Sequence, residues 1–189
     1  MSPQSKTEKG TTRRLEVDTI KGRIAEALVE SIFRRAEFKM TRFGTESDLT
    51  GMPKTGKGND YSPDFLAMKE GTGERETRGT YHTHMIQVKY QADLSQFLWR
   101  QTRAREGSEI ARAMEKWPSL CVVFVTEPPA EGRSCFQALD LSDFDPGKPL
   151  DTVELHQIER FKIFPHNVAQ HEELAKKLFG LLSEVNARD

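Results

Sequence analysis

The stretch Tyr81-His82-Thr83-His84-Met85-Ile86-Gln87-Val88-Lys89-Tyr90-Gln91 decides how the chain reads. It has the composition of a strand, and side chains along a strand alternate between faces. Ile86 and Val88 therefore point to one side, toward a core. Gln87 and Lys89 point together to the other. Such a pair is an ordinary polar pair on a sheet surface unless a third group joins it. The same alternation sends His82 and His84 to the Ile86/Val88 face. An i, i+2 histidine pair can share a metal ion, but here it is expected near a sheet edge, away from Lys89, with no catalytic role.

Upstream, Pro63 to Met68 reads as a second strand, and polar, glycine-rich Glu70 to Gly79 reads as the turn joining it to the third. Pro63-Asp64-Phe65 places a carboxylate at the start of that second strand. A hairpin lets Asp64 lie beside Gln87 and Lys89, so that an acid, an amide and a lysine share one surface. Further back, Ile20, Ile24, Leu28 and Ile32 recur every four residues and predict a helix over Val17 to Glu37. Glu26 and Glu30 fall on the side opposite most of that stripe. Gly22, one turn before Glu26, leaves room for a close approach. Glu30 is read as a surface or supporting residue.

The remaining elements follow from similar signals. Residues 1–14 are read as a flexible tail and 15–189 as one domain. Phe38 to Phe43 forms a first strand. Gly44 to Ser62 is a long loop with four glycines, of the kind that is functional or disordered. A second helix spans Leu94 to Lys116 and stops at Pro118. Leu120 to Thr126 is a buried strand. Ser134 to Leu141 and Val153 to Phe164 supply further strand. Asn167 caps a last helix that runs to Val185, with Leu174, Leu178, Leu181, Leu182 and Val185 as its apolar face. The predicted class is α/β: a mixed central sheet flanked by helices, in the order αβββαβ plus C-terminal strands and a helix.

With these motifs in order, the sequence resembles the PD-(D/E)XK nuclease superfamily. Gly22-x-x-x-Glu26 sits on the first helix, Pro63-Asp64 on the second strand and Gln87-Val88-Lys89 on the third. The resemblance covers about residues 16–126. Lys21-Gly22 with Glu26 looks like archaeal Holliday-junction resolvases, and Gln-x-Lys resembles Mrr-like restriction endonucleases. It implies a restriction-endonuclease-like core and hydrolysis of DNA phosphodiester bonds, in restriction, repair or recombination. The implied catalytic residues are Glu26, Asp64, Gln87 and Lys89. Glu26, Asp64 and the Gln87 side-chain oxygen would hold Mg²⁺, with Mn²⁺ as a substitute. The ion would activate a bound water and Lys89 would offset negative charge in the transition state. Gln87 stands where most members carry Asp or Glu, and it brings no charge. It is also the feature that favours the alternative, a relative that keeps the fold and binds DNA without cutting it.

The implied partner is duplex or branched DNA, with a homodimer plausible because two strands need two sites. Lys54 and Lys57 in the long loop, and Arg100 and Arg103 on the second helix, are candidate DNA contacts. For the loop lysines, a solvated disordered segment is an equal alternative. Gly51-Met52-Pro53-Lys54-Thr55-Gly56-Lys57 almost matches a phosphate-binding P-loop. Gly58 replaces its Ser/Thr, however, and neither a strand before nor a helix after is expected, so a nucleotide cofactor is excluded.

Bulk properties set the outer limits. The chain has 189 residues with 36% hydrophobic and 30% charged, and a formal net charge of −1. No apolar run approaches the ~20 residues needed to span a bilayer. The polar, basic start lacks the apolar core of a signal peptide, so no membrane partner and a cytoplasmic location are expected. Near-zero charge argues against a passive, charge-driven nucleic-acid coat and leaves an enzyme with basic residues on one face open. Cys121 and Cys135 form neither a disulfide framework nor a metal motif.

Overall fold

Six strands form one mixed sheet in the order β1-β2-β3-β4-β5-β6. They are Lys39–Arg42 (β1), Phe65–Glu70 (β2), Tyr81–Tyr90 (β3), Leu120–Val125 (β4), Phe136–Asp140 (β5) and Val153–Glu154 (β6). The structure is a computed structural model that describes residues 5–43, 61–71, 80–127, 132–145 and 148–187. All neighbours are antiparallel except β3 and β4, which are parallel. A parallel pair requires a crossover connection. Here the crossover is helical, Leu94–Ala104 (α2) followed by Glu109–Lys116 (α3). The other helices are Ser5–Arg35 (α1) and Pro165–Ala187 (α4).

Alternation along β4 assigns the layers. Every residue of β4 is buried, as its continuous apolar run requires. Cys121, Val123 and Val125 pack in one cluster with α1 and α4, whereas Leu120, Val122 and Phe124 pack in another with Phe97, Ile110 and Ala113 of α2 and α3. The chain is thus a mixed α/β protein with helices on both faces of the sheet. No helix among the described residues is long and apolar enough to cross a membrane.

Several elements depart from the sequence reading. Helix α1 begins at Ser5, so the tail drawn to Arg14 is helical from Ser5 onward; the apolar periodicity that located the helix starts only at Val17. Its buried face is Ala25, Leu28, Val29, Ile32 and Phe33, while Ile20 is 47% exposed. The stripe is rotated toward Glu26 and Glu30, which lie on its flank and not at its back. The helix predicted over Leu94 to Lys116 breaks at a 3₁₀ turn, Arg105–Gly107. Ser108 then caps α3 by accepting the Ala111 N–H at 3.0 Å. Buried Gln101 accepts the Glu109 N–H at 2.8 Å. The break is stable because both side chains serve N–H groups that an interrupted helix leaves open.

Val153 to Phe164 forms a strand only at Val153–Glu154 and then two 3₁₀ turns, Leu155–Gln157 and Glu159–Phe161. Its apolar residues Leu155, Ile158, Phe161 and Ile163 lock into the core without strand pairing. Asn167 is not a cap. It lies inside α4, buried, and its Nδ2 donates to Ile32 O at 2.9 Å, tying α4 to α1. The inward face of α4 is Val168, His171, Ala175 and Phe179. Leu174 and Leu181, expected inside, are 45% and 60% exposed.

Candidate active site

The pairing of β2 with β3 places Phe65 opposite Ile86, and Asp64 N–H donates to Ile86 O at 2.8 Å. There β2 ends. β3 continues beside β4 alone, with Gln87 opposite Val122 and Tyr90 opposite Val125. The fork turns the β3 edge toward the Asp64 side chain. Asp64 Oδ2 accepts the Val88 N–H at 2.6 Å and the Gln87 Nε2–H at 2.9 Å. Proline before Asp64 is compatible with this, because the chain is entering a strand and Pro63 need not donate to the ladder.

Gln87 is buried, and its Nε2 also lies 3.3 Å from Val88 O. Its Oε1 is enclosed with no hydrogen-bond partner among the described residues. Burial raises the Asp64 carboxyl to about 6, and the nearby Glu26 charge adds to the rise. The Val88 N–H, Lys89 and Arg42 oppose it. Lys89 Nζ sits 3.8 Å from the ring centroid of buried Tyr61. Burial lowers the Lys89 ammonium pKa, while Glu109 and Asp64 pull it back up. Burial, and then the charge of Glu109, raises the Tyr61 phenol.

Helix α1 supplies Glu26 from the flank of its buried stripe. Arg42 of β1, which no sequence pattern singles out, bridges the two helix acids. Its Nη1 lies 3.0 Å from Glu26 Oε2 and its Nη2 3.5 Å from Glu30 Oε2. Glu30 is held further by Arg34 at 2.8 Å. A Cβ on Gly22 would meet nothing within 4 Å, so the space the glycine leaves is open.

Glu26, Asp64, Gln87 and Lys89 all line one cleft of about 530 Å³, along with Gly22 and Asp18. Asp18 was not singled out from sequence; one turn before Gly22 on the same helix face, its spacing was the available signal. A second cleft of about 500 Å³ shares Lys89, Tyr90 and Gln91 with the first and is lined by Arg100. Arg103 lines neither cleft; its guanidinium lies 5.3 Å from the Trp99 ring. Lys54, Lys57 and the P-loop-like Gly51 to Gly58 lie outside the described residues. His84 sits on the opposite face, its ring 5.2 Å from Phe161 and 6.1 Å from Phe38. His82 is exposed.

Among the described residues no group of three or more His, Cys, Asp or Glu side chains is placed to hold a metal ion. Among the groups lining the first cleft, the sequence-predicted oxygen donors are the carboxylates of Glu26 and Asp64 and the amide oxygen of Gln87. An all-oxygen set suits a hard cation such as Mg²⁺, which keeps several waters and needs few protein ligands. The unpartnered Gln87 Oε1 fits this role: its amide nitrogen is committed to Asp64, which leaves the oxygen as the free donor. Family models, curated proteins and solved structures were all compared with the chain, and none matches it.

Proposed function

We propose that this chain is a divalent-metal-dependent DNA endonuclease with a restriction-endonuclease-like core of the PD-(D/E)XK type. The observation that carries the reading is the convergence of Glu26, Asp64, Gln87 and Lys89, from three separate elements, on one cleft. Asp64, Glu26 and Gln87 Oε1 would hold the Mg²⁺ or Mn²⁺ ion. When bound, such an ion lowers the pKa of a coordinated water and offsets charge on the scissile phosphate.

The chain's own groups have distinct tasks. The Val88 N–H and the Gln87 amide fix the Asp64 carboxylate, so it needs no reorganisation to receive a cation. Lys89, held over Tyr61, presents an ammonium to the substrate phosphate and stabilises charge that builds on its oxygens. Arg42 pairs with both Glu26 and Glu30, so Glu26 could serve as a ligand while Arg42 kept Glu30 as a partner. Cleavage of plasmid, linear duplex and four-way junction DNA tests the reading. Metal-dependent cutting is expected for the wild-type protein and is lost in Asp64→Ala and Lys89→Ala. Cutting that survives both substitutions rejects the site.

A second reading has its own support. Gln87 is neutral, Arg42 pairs with Glu26, and among the described residues no group of three or more His, Cys, Asp or Glu side chains is placed to hold a metal ion. That arrangement suits a DNA-binding protein of the same fold without catalysis. It predicts DNA binding with no cutting, and no Mn²⁺-dependent heat in calorimetry.

A further inference from the structure

The two clefts that meet at Lys89, Tyr90 and Gln91 carry opposite charge. The first is lined by Asp18, Glu26 and Asp64 against Lys89. The second is lined by Lys89, Arg100 and Arg112 against Glu109. The broken crossover helix creates the second. Arg105 adopts φ +49°, which a non-glycine residue rarely does, and the chain turns a corner between α2 and α3. Gln101 fixes the corner from below through its bonds to the N–H groups of Glu109 at 2.8 Å and Ile110 at 3.4 Å. Arg112 fixes it from the side, its Nη1 donating to Gly107 O at 2.8 Å. An unbroken helix from Leu94 to Lys116 would have no such corner to wall the cleft.

From this juxtaposition we infer that the cleft between α2 and α3 is a phosphate subsite. It takes a backbone phosphate of the same DNA strand whose neighbouring phosphate lies in the acidic cleft. This rests on the nuclease reading in taking DNA as the ligand. The chemistry is that of guanidinium groups, which present paired N–H donors matched to phosphate oxygens. The acidic cleft by itself repels a polyanion, so the strand needs an adjacent cationic anchor to be drawn across Asp64. Lys89 stands at the boundary and faces both. Arg103, stacked on Trp99 away from the cleft, has no part in it.

The test is fluorescence anisotropy of a labelled DNA duplex with the full chain, in EDTA so that no strand is cut, over a series of KCl concentrations. The Arg100→Ala/Arg112→Ala double variant is expected to bind about tenfold more weakly. The slope of log K against log salt should shrink by about one, the loss of one phosphate contact. Lys177→Ala, at an exposed lysine of α4 that lines neither cleft, should match the wild-type protein in both. Melting temperature checks folding, and Arg100→Glu alone, at an exposed position, provides a second variant should the double one unfold. Unchanged affinity and slope in the arginine variants overturn the inference. So does an equal loss in Lys177→Ala, or no DNA binding by the wild-type chain. Cutting in Mg²⁺ is scored separately. Arginine-dependent binding without cutting keeps the subsite and rejects the nuclease; cutting with arginine-independent binding does the reverse.

Discussion

Asp64 closes the open edge of β3 at Val88: its carboxylate oxygen accepts that residue's backbone N–H at 2.6 Å, just beyond the first residue of β2 and its pairing with β3. A buried backbone donor needs a partner, and at the fork the partner is a side chain. The bond fixes the carboxylate, but burial keeps its pKa high, at about 6.

That balance has a definite sign. In the unfolded chain Asp64 loses its proton near pH 4, and in the folded chain near pH 6. Between these values the folded state holds the extra proton, so this group's contribution to stability falls as pH rises from 4 to 6. Asp64→Asn keeps an oxygen to accept from Val88 and Gln87 and has no charge to bury. In EDTA the variant should match the wild-type protein near pH 4 and exceed it by about 2 kcal/mol above pH 6. Urea unfolding at both pH values measures this, and a variant less stable at pH 7 contradicts it.

His84 has the opposite sign. Burial first, then the charges of Arg160 and His82, lowers its pKa to about 4, with Asp140 opposing. The unfolded chain takes up this proton near pH 6.5 while the folded chain resists until about pH 4. Stability from His84 is therefore complete above pH 6.5 and is lost as pH falls toward 4. His84→Phe keeps a ring against Phe161 and Phe38 and removes the titration. Its melting temperature should fall less between pH 6.5 and 4.5 than that of the wild-type protein. An identical fall would show that His84 titrates normally.

How far these residues were legible in the sequence depends on the kind of signal each leaves. Gln87 and Lys89 were readable because strand alternation is rigid, and Asp64 because proline marks the strand's start. The β4 strand was readable from its unbroken apolar run. Arg42 was not, since a basic residue on a short edge strand looks like solvated surface until Glu26 is set opposite it. The break at Arg105 was hidden because Gln101 and Ser108 have ordinary helical neighbours, and their capping role exists only in three dimensions. Leu155 to Ile163 misread as strand because a 3₁₀ turn can bury apolar residues without pairing its backbone.

The tie between α1 and α4 gives a stability test independent of the site. Asn167 is buried and donates to Ile32 O, an acceptor near the C-terminal end of α1. Asn167→Ala removes that bond, leaves Ile32 O with the Ala36 N–H at 3.1 Å as its remaining partner, and opens a small void. A loss of about 1 kcal/mol is expected, the net worth of one hydrogen bond. A urea midpoint unchanged from the wild-type protein would mean that water replaces the amide at no cost.

Gln87→Glu sets two effects against each other. The amide now donates to Asp64 at 2.9 Å, and the substitution replaces that donor with a second buried carboxylate. Two like charges at this distance raise each other's pKa, and the metal-free protein should lose about 2–3 kcal/mol near pH 7.5. The same charge strengthens the oxygen donor set for a divalent cation, because carboxylates bind hard cations better than a neutral amide. Mn²⁺ titration followed by calorimetry should therefore show tighter binding in the variant by about tenfold, and Mn²⁺ should restore much of its lost stability. A destabilised variant that gains no affinity for Mn²⁺ would place the cation elsewhere, and would leave Gln87 as a purely structural partner of Asp64.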